Sequence, residues 1–173
     1  MPEDDGGAAH LPGLEIPGLK LVAPGGDEID LAAAARETLV LYVYPRTGTP
    51  GQPLRPGWSE TPGARGCTVQ NLAFRHRHSE LLAIGAAVLG LTAQPPAEVR
   101  EFAAREQMPY PLLSDSELEM AGAIGLPTFE FEGARLYKRL TLIAREGRIA
   151  EVIYPVFPPG SDADRALELL RGG

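Results

Sequence analysis

TLVLYVYP, residues 38–45, and CTVQNLAFRHRHSELLAIG, residues 67–85, are the two stretches from which the fold is read. The first is β-branched and aromatic with few polar positions, the pattern of a strand buried on both faces. Pro45 ends it. The second carries Val69, Leu72, Ala73, Leu81 and Leu82 at spacings compatible with one apolar helix face. Between them Pro45, Pro50, Pro53, Pro56 and Pro62, with glycines interleaved, exclude helix and sheet interior over about twenty residues. Loops of that length inside a compact domain are characteristically functional or mobile. Cys67 therefore stands where a long loop turns into a helix.

Working outward, Leu19 to Val22 and Asp27 to Leu31 read as short strands joined over Gly25 and Gly26. After the Cys67 helix, AAVLGLTA (residues 86–93) reads as a buried strand and PPAEVREFAAREQ as a helix with Pro96 in its first turn. YPLLSD is a short strand. SELEMAGAIG is a helix capped by Ser116 or Asp115 and stopped at Gly125 to Pro127. Arg139 to Ala144 and Ile149 to Tyr154 flank a hairpin turn with Gly147 at the position that needs positive φ, and a last helix starts near Ser161 or Asp162. This order of elements predicts an α/β fold, a mixed central β-sheet flanked by helices on both faces. The 173 residues fit one domain, with residues 1–18 expected to form a loosely ordered N-terminal segment because they are rich in Pro, Gly and acids.

Hydrophobic residues make up 44% and charged residues 23%, ordinary globular usage. A formal net charge of -7 with scattered arginines argues against a nucleic-acid partner. Nothing near the N-terminus resembles a secretory signal, and no apolar run reaches the roughly 18 residues of a membrane span, so a cytoplasmic location is expected. The chain has one cysteine, which excludes an internal disulfide and a C-x-x-C exchanger.

A lone cysteine is more often a small buried hydrophobe than a nucleophile. Cys67 is bracketed instead by Gly66 and Thr68 at the mouth of a Gly/Pro loop, and reads as chemistry. A free thiol titrates near pH ~8.5, so a nucleophilic one needs neighbours that favour its anion. The first turn of a helix supplies one such influence, and an arginine such as Arg65 another. His76 and His78 lie two apart on a helix and point to different faces, so they read as surface histidines rather than metal ligands. Arg75 is read either as a pocket residue or as an exposed one, and Trp58 as a loop anchor or a contact surface. Arg139, taken alone, reads as a solvated charge at a strand edge.

LYVYPRTG (41–48), TPGARGCTVQNLAFRHRHSEL (61–81), LGLTAQPPAEVREFAAREQMPYPLLSD (89–115) and KRLTLIAREGRI (138–149), in this order, resemble the peroxiredoxins. The likeness is strongest to the branch that includes the bacterioferritin comigratory proteins, whose pattern runs YP, a variable loop, TPGCT and a helix containing AFR. The resemblance implies a thioredoxin-like fold and a thiol peroxidase acting on hydrogen peroxide or organic hydroperoxides, with no metal, flavin or haem cofactor. It puts Cys67 in the place of the peroxidatic cysteine, Arg139 in that of the strand arginine beside it, and Pro45 in that of the proline that shields the pocket. Ala64 stands where the family has a threonine whose hydroxyl meets the peroxide. Thr47, Thr49 and Thr61 are candidates for that job, with Thr47 favoured because it stays close to the buried strand end. YPRTGTPGQ repeats the family spacing but has Gln52 where cysteine belongs, and Leu72 occupies the usual position of a resolving cysteine. The resemblance therefore implies a one-cysteine enzyme, a monomer or homodimer, recycled by an external thiol from a thioredoxin-like protein or a small molecule. The competing expectation, from Ala64 and the expanded loop, is a non-catalytic redox sensor or protein-interaction module.

Overall fold

The structure is a computed structural model and describes residues 2–48, 52–61 and 63–172. An interior strand is β3 (Thr38–Val43), in which Leu39 to Val43 are all buried. β3 pairs in parallel with β4 (Ala86–Thr92) and antiparallel with β8 (Leu140–Arg145). Adding β1 (Lys20–Val22), β2 (Glu28–Asp30), β5 (Leu112–Ser114) and β9 (Arg148–Ile153) gives a seven-stranded mixed sheet in the order β2-β1-β5-β4-β3-β8-β9. The expected β-rich run at 38–44 thus holds an interior strand, hydrogen-bonded on both sides.

Alternation along β3 sends its side chains to two cores. Val40, Tyr42 and Tyr44 face α2 (Cys67–Ala83), α3 (Pro96–Arg105) and α5 (Ser161–Gly172), where Phe74, Leu81, Val99, Phe102 and Leu167 meet them. Leu39, Leu41 and Val43 face the short helices α1 (Leu31–Ala34) and α4 (Glu119–Ile124). Two such short helices cannot cover that face, and the N-terminal segment completes the cover. Residues 1–18, expected to be loosely ordered, are therefore tied down over the described part: Leu11 and Ile16 are buried in this core. Their backbone bonds to β9 and its turn, with Gly13 N–H donating to the Ile149 carbonyl at 2.8 Å and Ile16 N–H to Gly147 at 2.9 Å.

Two further features differ from expectation. Residues 128–137, given no element from the sequence, form a second small sheet of β6 (Thr128–Phe131) and β7 (Ala134–Tyr137), joined by Glu132 and Gly133, both at positive φ as a tight hairpin requires. On α2 the expected apolar face is rotated: Val69 and Leu82 are exposed and Leu72 half-buried, while Cys67, Gln70, Asn71, Phe74 and Leu81 are buried. The inward face is polar in its first turn because its partners are polar. Asn71 Oδ1 accepts from Tyr42 Oη at 2.6 Å, and Asn71 Nδ2 donates to the Cys67 carbonyl at 2.9 Å. The Tyr42 ring also stacks on Phe74 with centroids 4.3 Å apart, fixing α2 on the sheet.

Candidate active site

Cys67 is the first residue of α2, with Gly66 at φ 104° leading in; no side chain caps the helix, so its first-turn N–H groups are left to the site. The residue is buried, 3% exposed. Two donors reach its sulfur, one from the segment after β3 and one from just before β8: Arg46 N–H at 3.4 Å and Arg139 Nη2 at 3.3 Å. As a thiol it donates to the Ala64 carbonyl at 3.6 Å. Two N–H donors on one sulfur suit a sulfur that carries negative charge.

Arg139 does far more than a strand-edge charge. It is buried just before β8, and its guanidinium spreads over four other acceptors. Nη1 donates to Gln70 Oε1 at 2.6 Å; Nη2 faces the carbonyls of Gly63 at 3.2 Å, Ala64 at 3.4 Å and Arg65 at 2.9 Å. One planar fork thus fixes the end of the long loop against α2 and still presents an N–H to Cys67. Arg65, expected to act on the thiol through its side chain, contributes only its carbonyl; its side chain is exposed.

The Arg46 amide is held in place from the end of β4. Thr92 Oγ1 donates to the Pro45 carbonyl at 3.2 Å, and Thr47 N–H donates to Gln94 Oε1 at 3.1 Å. Pro45 is buried beside this bond. Thr47, expected to offer its hydroxyl to the pocket, is buried with that hydroxyl donated to Gln94 Oε1 at 3.3 Å. The hydroxyl is drawn away because the same amide oxygen already holds the Thr47 backbone. Thr61 spends its hydroxyl on the Gly57 carbonyl at 2.8 Å, and Thr49 lies outside the described residues. The hydroxyl that the sequence pattern overlooked is Tyr44, fully buried in the same cluster as Cys67 and without a partner among the described residues. Burial first, and neighbouring Cys67 second, push its titration well above the usual phenol range, so it stays protonated.

Trp58 anchors the loop. It is buried, packs edge-on against Phe131 of β6 with centroids 4.9 Å apart, and carries the Arg46 guanidinium 4.9 Å above its ring. The residue whose amide meets the sulfur is therefore held at its other end by the loop's own tryptophan. Arg75 is exposed and donates to the Glu106 carbonyl, away from the sulfur. His76 is exposed, while His78 is half-buried against Tyr110, where burial lowers its titration. Among the described residues no three His, Cys, Asp or Glu side chains cluster as metal ligands do, and no helix is long and apolar enough to cross a membrane. A hollow of about 410 Å³ opens beside the site, lined in part by Arg65, Gly66, Val69, Arg139 and Phe157.

The Redoxin family profile matches residues 11–169. Peroxiredoxin Q of Arabidopsis thaliana chloroplasts is 29% identical over 160 residues, 92% of this chain and 66% of that one; the Populus jackii protein is 28% identical, over 92% and 67%. The chain thus spans about two thirds of the length of these relatives. Among solved structures, peroxidoxin BcpB of Mycobacterium tuberculosis superposes with a TM-score of 0.76 at 25% identity, over 94% of this chain and 97% of that one. Peroxiredoxin Q of Xanthomonas campestris gives 0.72 at 26% identity, over 92% and 96%. A structure of the X. campestris bacterioferritin comigratory protein, with the same score and identity, is described for its alkyl peroxide reduction activity. With a thioredoxin-like mixed sheet, the profile match and these neighbours, the chain belongs to the Redoxin family, within which it is a peroxiredoxin of the branch that includes the bacterioferritin comigratory and Q-type proteins.

Proposed function

We propose that this protein is a one-cysteine thiol peroxidase in which Cys67 reduces hydrogen peroxide or an organic hydroperoxide. The observation that carries this reading is the convergence of Arg139 Nη2 and Arg46 N–H on the Cys67 sulfur at the start of α2. The thiolate attacks one peroxide oxygen; the S–O bond forms with the sulfur's electron pair as the O–O bond breaks. Sulfur is oxidised to sulfenic acid, and the departing oxygen takes a proton to leave as water or alcohol. Arg139 holds sulfur and peroxide together and carries the charge as it moves to the leaving oxygen. Pro45 closes the site to water, and Thr47, through Gln94, holds the segment that aims the Arg46 amide.

With one cysteine in the chain, an external thiol attacks the sulfenic sulfur, releasing water, and a second thiol frees Cys67 as a disulfide leaves. The cytoplasm, whose thiol pool is reducing, is the compartment this cycle fits, and monomer and homodimer both accommodate it. Support for the wider substrate range comes from the alkyl peroxide reduction of the X. campestris relative and from the partly apolar hollow beside Arg139. The test is stopped-flow oxidation of the reduced protein by hydrogen peroxide, with mass spectrometry of Cys67. Conversion to sulfenic acid orders of magnitude faster than free cysteine is expected; a rate equal to free cysteine refutes the reading.

A further inference from the structure

Behind Arg139 lies a buried chain of polar groups with no apolar reason to be there. Asp162, in the first turn of α5, is fully buried. Its Oδ2 accepts from Gln70 Nε2 at 2.6 Å and from Thr141 Oγ1 of β8 at 2.8 Å. Gln70 turns its other end, Oε1, to Arg139 Nη1 at 2.6 Å. A carboxyl oxygen accepts and a guanidinium only donates, so the two neighbours fix which end of the amide faces which way. Were Gln70 flipped, its NH2 would face the arginine and its oxygen the acid, and both bonds would be lost. The orientation that offers Arg139 an acceptor is the one that Asp162 dictates.

We propose that Asp162 is a positioning residue for the reaction: it locks the Gln70 amide, which in turn sets the plane of the Arg139 guanidinium against Cys67. Three elements meet in this line. α5 supplies the acid, α2 the amide and the thiol, and β8 with its approach supplies the arginine and Thr141. Its geometry explains a burial that is otherwise costly. Desolvation raises the Asp162 titration above the ordinary carboxylate range, and its Oδ1 has no partner among the described residues. Both accepted bonds fall on Oδ2, so a proton on Oδ1 leaves them intact and an asparagine keeps an accepting oxygen.

The kinetic consequence rests on the peroxidase reading, and the experiment pairs it with a readout that does not. Asp162→Ala is expected to slow Cys67 oxidation by peroxide about tenfold, the effect of misplacing one charge-assisted hydrogen bond. It should also speed water exchange of the Arg139 Nη1–H that Gln70 accepts, followed by 15N NMR, by about tenfold. Asp162→Asn should stay within about threefold of the parent on both. In an Arg139→Ala background, Asp162→Ala should change the oxidation rate no further. Gln70→Leu cuts the same chain at its other link and should give the same pattern, including where Asp162→Ala fails to fold. The proposal is overturned if folded Asp162→Ala or Gln70→Leu leaves the Arg139 Nη1–H exchange unchanged. It is overturned equally if the loss of rate is the same with and without Arg139, or if Asn is as slow as Ala. A parent that reacts no faster than free cysteine refutes the peroxidase reading alone, and the exchange rates still decide the role of Asp162.

Discussion

Replacing Arg139 with alanine removes a side chain that serves two purposes, and the structure separates their sizes. Nη2 faces the Cys67 sulfur at 3.3 Å and the carbonyls of residues 63 to 65, while Nη1 holds Gln70. Losing a preorganised donor aimed at developing charge costs about 2.7–4 kcal/mol of barrier, a slowing of about 10²–10³ in the second-order rate with peroxide. Leaving buried carbonyls unpaired costs about 1–3 kcal/mol of stability, and at roughly 2–4 °C per kcal/mol the melting temperature falls by about 2–12 °C. Arg139→Lys keeps the charge but not the fork, so it can satisfy the loop carbonyls or the sulfur and not both. It should lose about tenfold in rate, near one charge-assisted bond. The assay is stopped-flow oxidation of reduced protein over a range of peroxide concentrations, alongside thermal melts of each variant. A folded Arg139→Ala protein that reacts within about threefold of the parent would refute the assignment of Arg139 to the site.

Three further outcomes are expected. Trp58→Ala removes the ring that carries Arg46 and packs on Phe131; it should cost up to about 3–5 kcal/mol in denaturant titrations and slow peroxide oxidation by displacing the Arg46 amide, and an unchanged rate would show that the loop does not hold that amide. Leu11→Ala should destabilise by about 2–5 kcal/mol, whereas a loosely attached segment would show under about 0.5 kcal/mol. Because burial raises the Asp162 titration, the folded form holds that proton more tightly than the unfolded chain, so its contribution to stability falls as pH rises above the ordinary carboxylate value of ~3.9. The melting temperature of Asp162→Asn minus that of the parent should therefore increase from pH 4 to pH 8; a difference that is flat or falls would contradict the raised titration.

The sequence made some of this legible because local chemistry dictated it. TLVLYVY carries no charge to leave exposed, and it supplies an interior strand; Gly66 and Cys67 mark a helix start because a loop of prolines cannot run on. Other parts were set by neighbours distant in the chain. The inward face of α2 carries Gln70 and Asn71, which periodicity scores as surface, and only Asp162, Arg139 and Tyr42 turn them inward. Leu11 and Ile16 are isolated among glycines and prolines, and nothing local says that a bare sheet face awaits them. Glu132–Gly133 carries a local hairpin signal of the same kind as the turn at Gly147. The family pattern points to a threonine for the missing hydroxyl, while the unpartnered one among the described residues belongs to Tyr44, at the end of the strand run itself.

The near-complete enclosure of Cys67 sets up a race once its sulfur has been oxidised. Two reagents compete for the sulfenic acid: a second peroxide, a few atoms across, and the reducing thiol, which on a protein donor comes attached to a whole fold. Enclosure handicaps the larger competitor and hardly touches the smaller. The chain holds no second cysteine that would end the contest from within. The number of turnovers each molecule completes before irreversible loss is then fixed by the ratio of oxidant to thiol around it, and a slim thiol should prolong its working life more than a bulky one at equal concentration.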